Sequence, residues 1–149
     1  MKLRNIFTGL CAILCMSGAA LAQATDDTTA LLPDSVALEI ADGSSVPDDC
    51  MYPSTISDVN LFELACVTMP RVGSGDIGRI YIGQLGRDGW RQGEYVSGGM
   101  TAVRADENNC QRVLNIFPSD YPPGDEESPT VVLWFALERA PRCAQTESP

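Results

Sequence analysis

The chain contains no histidine, and its only lysine is Lys2. The absence of histidine excludes Ser-His-Asp and Cys-His catalysis, and it excludes zinc hydrolysis through histidine ligands. Because Lys2 lies in a segment that we expect to be removed, a serine nucleophile activated by lysine is excluded in the mature chain. The enzymatic chemistry that remains uses carboxylates, and the chain has 20 acidic residues.

Long hydrophobic runs are also missing, except for one at the beginning of the chain. Lys2 and Arg4 precede an apolar stretch from Ile6 to Leu21, which closes on a small-x-small triplet at 20–22. This pattern is typical of a secretory signal peptide, and the stretch falls short of the roughly 20 strongly apolar residues that span a membrane. We therefore predict a signal peptide over residues 1–22 and a mature protein without a membrane span.

Basic residues are few, so the charge is strongly negative. The net charge is −10, and removal of Lys2 and Arg4 with the signal peptide changes it to −12. Such a chain repels nucleic acid and anionic lipid and attracts a basic partner. We expect a basic protein or an envelope component as the partner and no nucleic acid. Simple solvation of the surface is the alternative explanation of this charge.

The sequence has no C-x-x-C pair, which argues against a redox or metal site. Four cysteines remain after the signal peptide is removed, namely Cys50, Cys66, Cys110 and Cys143. An even number in an exported chain predicts two structural disulfides, each worth about 2–4 kcal/mol. We favour the pairs Cys66–Cys110 and Cys50–Cys143. Cys110–Cys143 competes with them, because the strand order predicted below brings both cysteines to one end of the sheet.

Composition divides the mature chain into a leader, a domain and a short tail. Residues 23–49 are acidic and contain Thr, Ser, Gly and Pro, which predicts a partly disordered leader. Within it, only Ser35 to Ile40 alternates like a strand. We predict that residues 50–145 form a single α+β domain and that residues 146–149 are a flexible tail.

Two helices are predicted at the beginning of this domain. Ser57 caps a helix from Asp58 to Met69, which Pro70 ends. A second helix opens at Asp76, although the glycines within it also allow a strand from Arg79 to Gly83.

An antiparallel meander follows, with strands from Tyr95 to Arg104, from Cys110 to Phe117 and from Thr130 to Leu137. We interpret Gly98-Gly99 as a bulge or bend in the first strand and Trp90 as a core residue. The predicted fold class is α+β, with two helices packed on a three-stranded antiparallel meander stapled by disulfides. A fourth strand is added if residues 35–40 join the edge of the sheet.

A G-x-G-x-x-G pattern at 73–78 matches the spacing of a dinucleotide-binding loop. No parallel βαβ unit surrounds it, so we interpret it as a helix-capping loop and expect no cofactor. Glu63, Asp76 and Glu94 are candidate carboxylates for glycoside hydrolysis, which needs two carboxyl groups about 5–9.5 Å apart. The acidic stretches 106–109 and 125–127 lack the spacing of a calcium loop, so we interpret them as solvated turns and predict no metal site.

The loop from Pro118 to Pro129 is the strongest candidate for partner contact, since long loops without secondary structure are often functional. Its candidate contact residues are Tyr121, Asp125, Glu126 and Glu127. A tolerated surface insertion is the alternative.

Trp134 is a further candidate contact residue. If Leu133, Phe135 and Leu137 face the helices, the alternation of a strand turns Trp134 to the other face of the sheet. An exposed Trp there would mark a contact surface, whereas we favour the alternative that residues 36–40 cover it.

Together these observations predict a small, acidic, non-enzymatic protein that is periplasmic in, or secreted by, a Gram-negative bacterium. We expect it to bind a protein or an envelope component through its surface, for example as an inhibitor of a basic cell-wall hydrolase. A carboxylate-dependent hydrolase of envelope glycans is the alternative from another class.

Overall fold

The computed structural model describes residues 31–32, 35–52, 56, 58–96 and 98–143. The predicted signal peptide, the leader before Leu31, the Ser57 cap and the C-terminal tail lie outside these residues. The described residues form one antiparallel sheet of five strands with a single α-helix, so the α+β fold class is confirmed. No helix among them is long and apolar enough to cross a bilayer.

In chain order the elements are a 3-10 turn Val59–Leu61, β1 Phe62–Pro70, α1 Ser74–Arg87, β2 Arg91–Val96, β3 Gly99–Ala105, β4 Gln111–Asp120 and β5 Thr130–Glu138. Strands β2 to β5 form a meander, and β5 also pairs with β1. The strand order is β1-β5-β4-β3-β2, and every neighbouring pair is antiparallel. The helix carries the chain from one edge of the sheet to the other, after which the strands return one by one.

The first predicted helix is wrong, because residues 62–70 form strand β1. This strand pairs with β5 over its whole length, from Phe62 opposite Glu138 to Pro70 opposite Thr130. Four successive residues, Cys66 to Met69, are buried, so both faces of the strand are covered. A run that is apolar on both faces satisfies helical and strand spacing alike, and periodicity does not distinguish the two.

The second predicted helix is confirmed as α1, and the alternative strand over Arg79 to Gly83 is wrong. Gly73 precedes it with φ of 89°, a left-handed conformation that suits glycine. Tyr81 and Leu85 are its buried residues, and Trp90 is buried just after its end, as predicted. The helix begins at Ser74, two residues before the predicted Asp76.

The first predicted strand of the meander is wrong as a single element, because the chain reverses within it. β2 and β3 form a hairpin in which Tyr95 lies opposite Met100, and Gly98 has φ of 79°. A glycine with positive φ suits a tight hairpin turn, so the chain bends at Gly98, directly before β3 begins at Gly99. Of the two alternatives predicted here, the bend is correct and the bulge is wrong. The register irregularity lies between Gln92 and Tyr95 instead. Strands β4 and β5 match the predicted ones closely.

The two faces of the sheet carry two separate cores. On the helix face, Leu133, Phe135 and Leu137 are buried as predicted, and the ring of Phe135 lies 5.3 Å from that of Tyr81. On the opposite face, Trp134 packs in a smaller cluster around Cys66. The sheet therefore has one thick, helix-covered layer and one thin layer.

Residues 31–32 and 35–45, which composition places in a partly disordered leader, contribute to the larger core. Val36 and Leu38 are buried on the helix face, and the backbone N–H of Ala41 donates to the Tyr81 hydroxyl at 3.0 Å. The alternation predicted for residues 35–40 is therefore observed in the burial of Val36 and Leu38. The segment joins the sheet by a single bridge between Ser45 and Thr68 rather than as a strand.

The disulfides are Cys50–Cys66 and Cys110–Cys143. Two bridges are confirmed, the favoured pairing is wrong, and the competing pair Cys110–Cys143 is correct. The favoured pairing was wrong because residues 58–69 were predicted to be a helix. As part of strand β1, Cys66 lies on the face away from α1, beside the segment that carries Cys50. Since disulfides persist in oxidising compartments, the two bridges indicate an extracytoplasmic environment.

Candidate functional site

A groove of about 790 Å³ lies on the helix face of the sheet, between α1 and the β2–β3 hairpin. Its apolar floor comes from four strands, and the side chains that form it are Met69, Met100, Ile116, Val131 and Leu133. Pockets of 300–1,000 Å³ with an apolar lining and few polar groups are the usual binding sites of proteins. We name this feature the helix-face groove.

The groove exists because one helix is too narrow for five strands. Four strand spacings of about 4.8 Å make the sheet roughly 19 Å wide, and a helix with its side chains is about 10 Å across. The helix packs beside β1, and its Tyr81 lies against Phe135 of β5. Towards the β2–β3 hairpin this cover thins out: Ile116 is still buried, Met100 is only partly buried, and Tyr95 is 80% exposed.

Glycines shape both walls of the groove. Gly75 and Gly78 lie on the α1 wall, and Gly98 and Gly99 on the hairpin wall. A Cβ built on Gly75 or Gly78 meets no heavy atom within 4 Å, so the space in front of these residues is open. A Cβ on Gly99 would instead overlap the carbonyl oxygen of Ile116. The glycines of the G-x-G-x-x-G pattern therefore leave space for the groove, and the same pattern begins helix α1.

One large exposed side chain lines the groove, and a second follows a groove residue in the chain. Tyr95, on the hairpin, is 80% exposed, and Val72, next to the groove residue Arg71, is 92% exposed. These are the two most exposed large hydrophobic residues of the described chain. Exposed apolar residues that border a concave apolar surface mark an interaction site.

One end of the groove is polar and is tied to the loop after β4. The Arg71 guanidinium donates to the Asp120 carboxylate at 2.8 Å and to the Ser128 carbonyl at 2.7 Å. Asp125, Glu126 and Glu127, which directly precede Ser128, are exposed. We name these three residues the acidic triplet. In the described part of the chain none of the three has an ion-pair partner.

The predicted contact loop is shorter than expected, because β4 continues to Asp120. Its acidic triplet lies at the surface, at the Arg71 end of the groove. Tyr121 is half-buried and packs with the Trp134 cluster, while its hydroxyl donates to the Asp49 carbonyl at 3.4 Å. The structure therefore places the triplet, but not Tyr121, beside the groove.

Trp134 is 1% exposed and offers no surface to a partner in this fold. Cys50, Phe117 and Tyr121 pack against its cluster, and the ring of Tyr52 lies 5.2 Å from its own. The expected cover, residues 36–40, lies on the opposite face of the sheet, so that assignment is wrong. The cover comes instead from the segment that the Cys50–Cys66 disulfide holds down.

The candidate carboxylates are spread over three elements. Glu63 lies on β1 and Glu94 on β2, the two edge strands, so about 19 Å of sheet separates the strands that carry them. Asp76 lies on α1 and is paired with Arg79 at 2.6 Å. A pair of carboxyl groups for glycoside hydrolysis needs about 5–9.5 Å, so Glu63 and Glu94 do not form one.

No candidate metal centre is present among the described residues, since no three or more Cys, Asp or Glu side chains converge there. Asp106 instead forms a turn, with its carboxylate accepting from the backbone N–H groups of Asn108 and Cys110. Away from the groove, the Glu138 carboxylate raises the pKa of Arg142 through a hydrogen bond and through its charge.

No protein-family model, curated protein or solved structure matches this chain. The sequence did not predict the helix-face groove, because the apolar residues of its floor have the same pattern as ordinary core residues. The glycines at 73–78 and 98–99 are the sequence feature from which the groove could have been predicted.

Proposed function

We propose that this protein is a non-enzymatic binding protein of the bacterial periplasm or exterior, and that it holds an apolar segment of its partner in the helix-face groove. The observation that carries the proposal is an apolar groove lined by Tyr95, whose side chain is 80% exposed, with the 92% exposed Val72 next in the chain to the groove residue Arg71. Leaving such side chains in water costs free energy that burial against a partner would recover, at about 25 cal/mol per Å².

The disulfides and the charge support an extracytoplasmic role. Two bridges suit a protein that works in an oxidising compartment, and a net charge of −10 suits a soluble protein there. Histidine is absent, and the candidate carboxylates on the two edge strands are held apart, so binding fits these residues better than catalysis.

The test fills the groove without disturbing the fold. Gly78→Leu places an isobutyl group in the groove, where a Cβ meets nothing within 4 Å. Gly86→Leu is the matched control, because Gly86 lies on the same helix, faces equally open space and does not line the groove. Both substitutions should stabilise α1 by up to about 1 kcal/mol, since leucine favours a helix more than glycine does.

The measurement is fluorescence of the neutral apolar dye Nile red with each purified, oxidised protein. We expect the wild type and Gly86→Leu to bind the dye and Gly78→Leu to bind it at least about tenfold more weakly. Equal dye binding by all three proteins, or none by the wild type, would contradict the proposal. Capture from an envelope extract by the wild type and Gly86→Leu, but not by Gly78→Leu, extends the result to the physiological partner.

A further inference from the structure

We infer that Arg112 is the centre of a binding site for a carboxylate, at the end of the sheet away from the helix-face groove. This site goes beyond the proposed function and does not depend on it. Three observations support it: the position of Arg112 in the sheet, the bonds that its neighbours make, and a buried guanidinium N–H without an acceptor among the described residues.

Arg112 lies on β4, which has a neighbouring strand on each side, and it belongs to the helix face of the sheet. Leu114 and Ile116, at alternate positions of the same strand, are buried in the larger core together with residues of α1. Ile116 lines the groove, and four residues of strand, or about 13 Å, separate it from Arg112. The adjacent Val113 and Leu114 are 3% and 0% exposed, so a packed core holds the backbone that carries Arg112.

A second arginine lies directly opposite Arg112. The register of β3 and β4 pairs Arg112 with Arg104, and like charges at opposite positions of two strands repel each other. Arg104 reaches to the C-terminal end of α1, where its guanidinium donates to the Asp88 carboxylate at 2.5 Å. It also lies 4.9 Å from the centre of the Trp90 ring. Asp88 therefore balances the charge of Arg104, and Arg112 needs a counterion of its own.

The carboxylates near this end of the sheet do not supply that counterion. Glu138 is paired with an arginine beyond the end of β5, and Asp106 accepts from two backbone N–H groups of its own turn. Glu63 accepts from a serine hydroxyl at 2.8 Å, and Glu107 is exposed in the turn between β3 and β4. In the part of the chain that the structure describes, no carboxylate forms an ion pair with Arg112.

The Nε–H of Arg112 is buried and has no acceptor among the described residues. Buried polar groups almost always have a hydrogen-bond partner, and a charged donor without one is especially unfavourable. The indole nitrogen of Trp134 is in the same situation, but that side chain is 1% exposed and closed to any ligand. Arg112 as a whole is only half-buried. A buried donor on a residue that solvent still reaches points to an acceptor from outside the chain.

The acceptor that fits this donor is a carboxylate. The Nε–H and one Nη–H of a guanidinium point in the same direction, and the two oxygens of a carboxylate accept both hydrogens. A phosphate group fits the same fork but carries a charge of about −1.5 to −2 at neutral pH. A chain with a net charge of −10 repels such an ion more strongly than a monoanion, and one arginine balances one negative charge.

The first experiment adds sodium acetate to the isotope-labelled, oxidised protein and follows the arginine Nε–H signals by NMR. Sodium chloride keeps the ionic strength constant. The signal that is missing from Arg112→Met belongs to Arg112. We expect this signal to move downfield and to saturate, because the carboxylate binds its N–H. The Arg104 signal should not saturate, since Arg104 is already paired with Asp88.

The second experiment measures the rise of the urea midpoint that acetate causes, because a ligand that binds the folded state stabilises it. Arg112→Met keeps a long stem without the guanidinium, and Arg112→Lys keeps the charge without the planar fork. Both should bind acetate at least about tenfold more weakly than the wild type. The matched control is Arg87→Met, because Arg87 is exposed and has no ion pair among the described residues. It should respond like the wild type.

Further probes define the ligand class. Sodium phosphate at the same ionic strength should shift the Arg112 signal only at higher concentrations than acetate. Acetyl-dialanine with a free carboxylate tests whether the end of a peptide chain is bound, and its amide is the control. Shifts with the free peptide indicate a peptide terminus, and shifts with acetate alone indicate a small acid. Equal shifts with the peptide and its amide would contradict a carboxylate site.

The inference is overturned if acetate does not move the Arg112 signal, or if acetate raises the midpoints of Arg112→Met and the wild type equally. A stronger response to phosphate than to acetate refutes the ligand class. Asp34, which lies outside the described residues, is next in the chain to Ser35. If Arg112→Met and Asp34→Asn lower the urea midpoint equally in chloride, and the double variant lowers it no further, a carboxylate of the chain itself fills the site and the inference is wrong. The helix-face groove is tested separately with Nile red.

Discussion

Removal of the Cys50–Cys66 disulfide should destabilise the protein more than removal of Cys110–Cys143, although it closes the shorter loop. The two bridges span 16 and 33 residues. Loop-closure entropy alone gives about 3 kcal/mol for the shorter and about 4 kcal/mol for the longer. Entropy therefore predicts the opposite order from the one that we expect.

We expect the opposite order of stability losses because the Cys50–Cys66 bridge also holds a covering segment on the core. Cys50 and Tyr52 belong to the segment that covers Trp134, and Cys66 beneath them is fully buried. Without the bridge this cover loosens, which forfeits an aromatic pair worth about 0.5–1.5 kcal/mol. Uncovering roughly 80 Å² of the indole ring costs about 2 kcal/mol more at 25 cal/mol per Å². The total is about 5.5–6.5 kcal/mol, against about 4 kcal/mol for the bridge from Cys110 to the exposed Cys143.

The assay is urea unfolding of Cys50→Ala/Cys66→Ala and Cys110→Ala/Cys143→Ala. Both variants are made in a Trp90→Phe background, so that Trp134 is the only tryptophan. The first variant should unfold at lower urea, and its native emission should shift to the red because Trp134 becomes hydrated. An unshifted emission in that variant, or a greater loss of stability in the second variant, would refute the reasoning.

Two further predictions concern single side chains. Tyr81→Phe should lower the free energy of unfolding by about 1–3 kcal/mol, because the buried N–H of Ala41 loses its acceptor; urea unfolding measures this, and an unchanged midpoint would contradict it. Gly99→Ala should lower the free energy of unfolding by at least about 2 kcal/mol, since its Cβ would overlap the Ile116 carbonyl. Gly75→Ala has open space before it and should raise the melting temperature. Equal melting temperatures for the two variants would contradict both predictions.

Two elements that the sequence predicted correctly, α1 and β5, each have a local pattern that favours one type of structure. α1 has an apolar stripe with only Tyr81 and Leu85 fully buried, and β5 is an apolar run of strand length that follows a Pro-rich loop. β1 has an equally apolar run, but its spacing fits a helix as well as a strand. Pairing with β5, which is distant in the chain, decided between them.

The candidate site also has some features that the sequence predicted and others that it did not. The acidic triplet was recognised from composition alone, because an exposed loop with three successive acidic residues needs no tertiary information. Trp134 was placed on the correct face of the sheet by the alternation of its strand, but its cover depends on the Cys50–Cys66 bridge. The helix-face groove depends on how far one helix extends over five strands, which no local pattern contains.

The sequence by itself determined the chemistry that is available to this protein, which is an acidic chain without histidine and with four cysteines after a predicted signal peptide, and it determined the α+β fold class. These properties follow from residue types and near neighbours along the chain. Only the tertiary structure decided that β1 is a strand, which cysteines pair and where the sheet stays uncovered. Each of these depends on contacts between residues far apart in the chain, and such contacts are set by the packing of the whole domain.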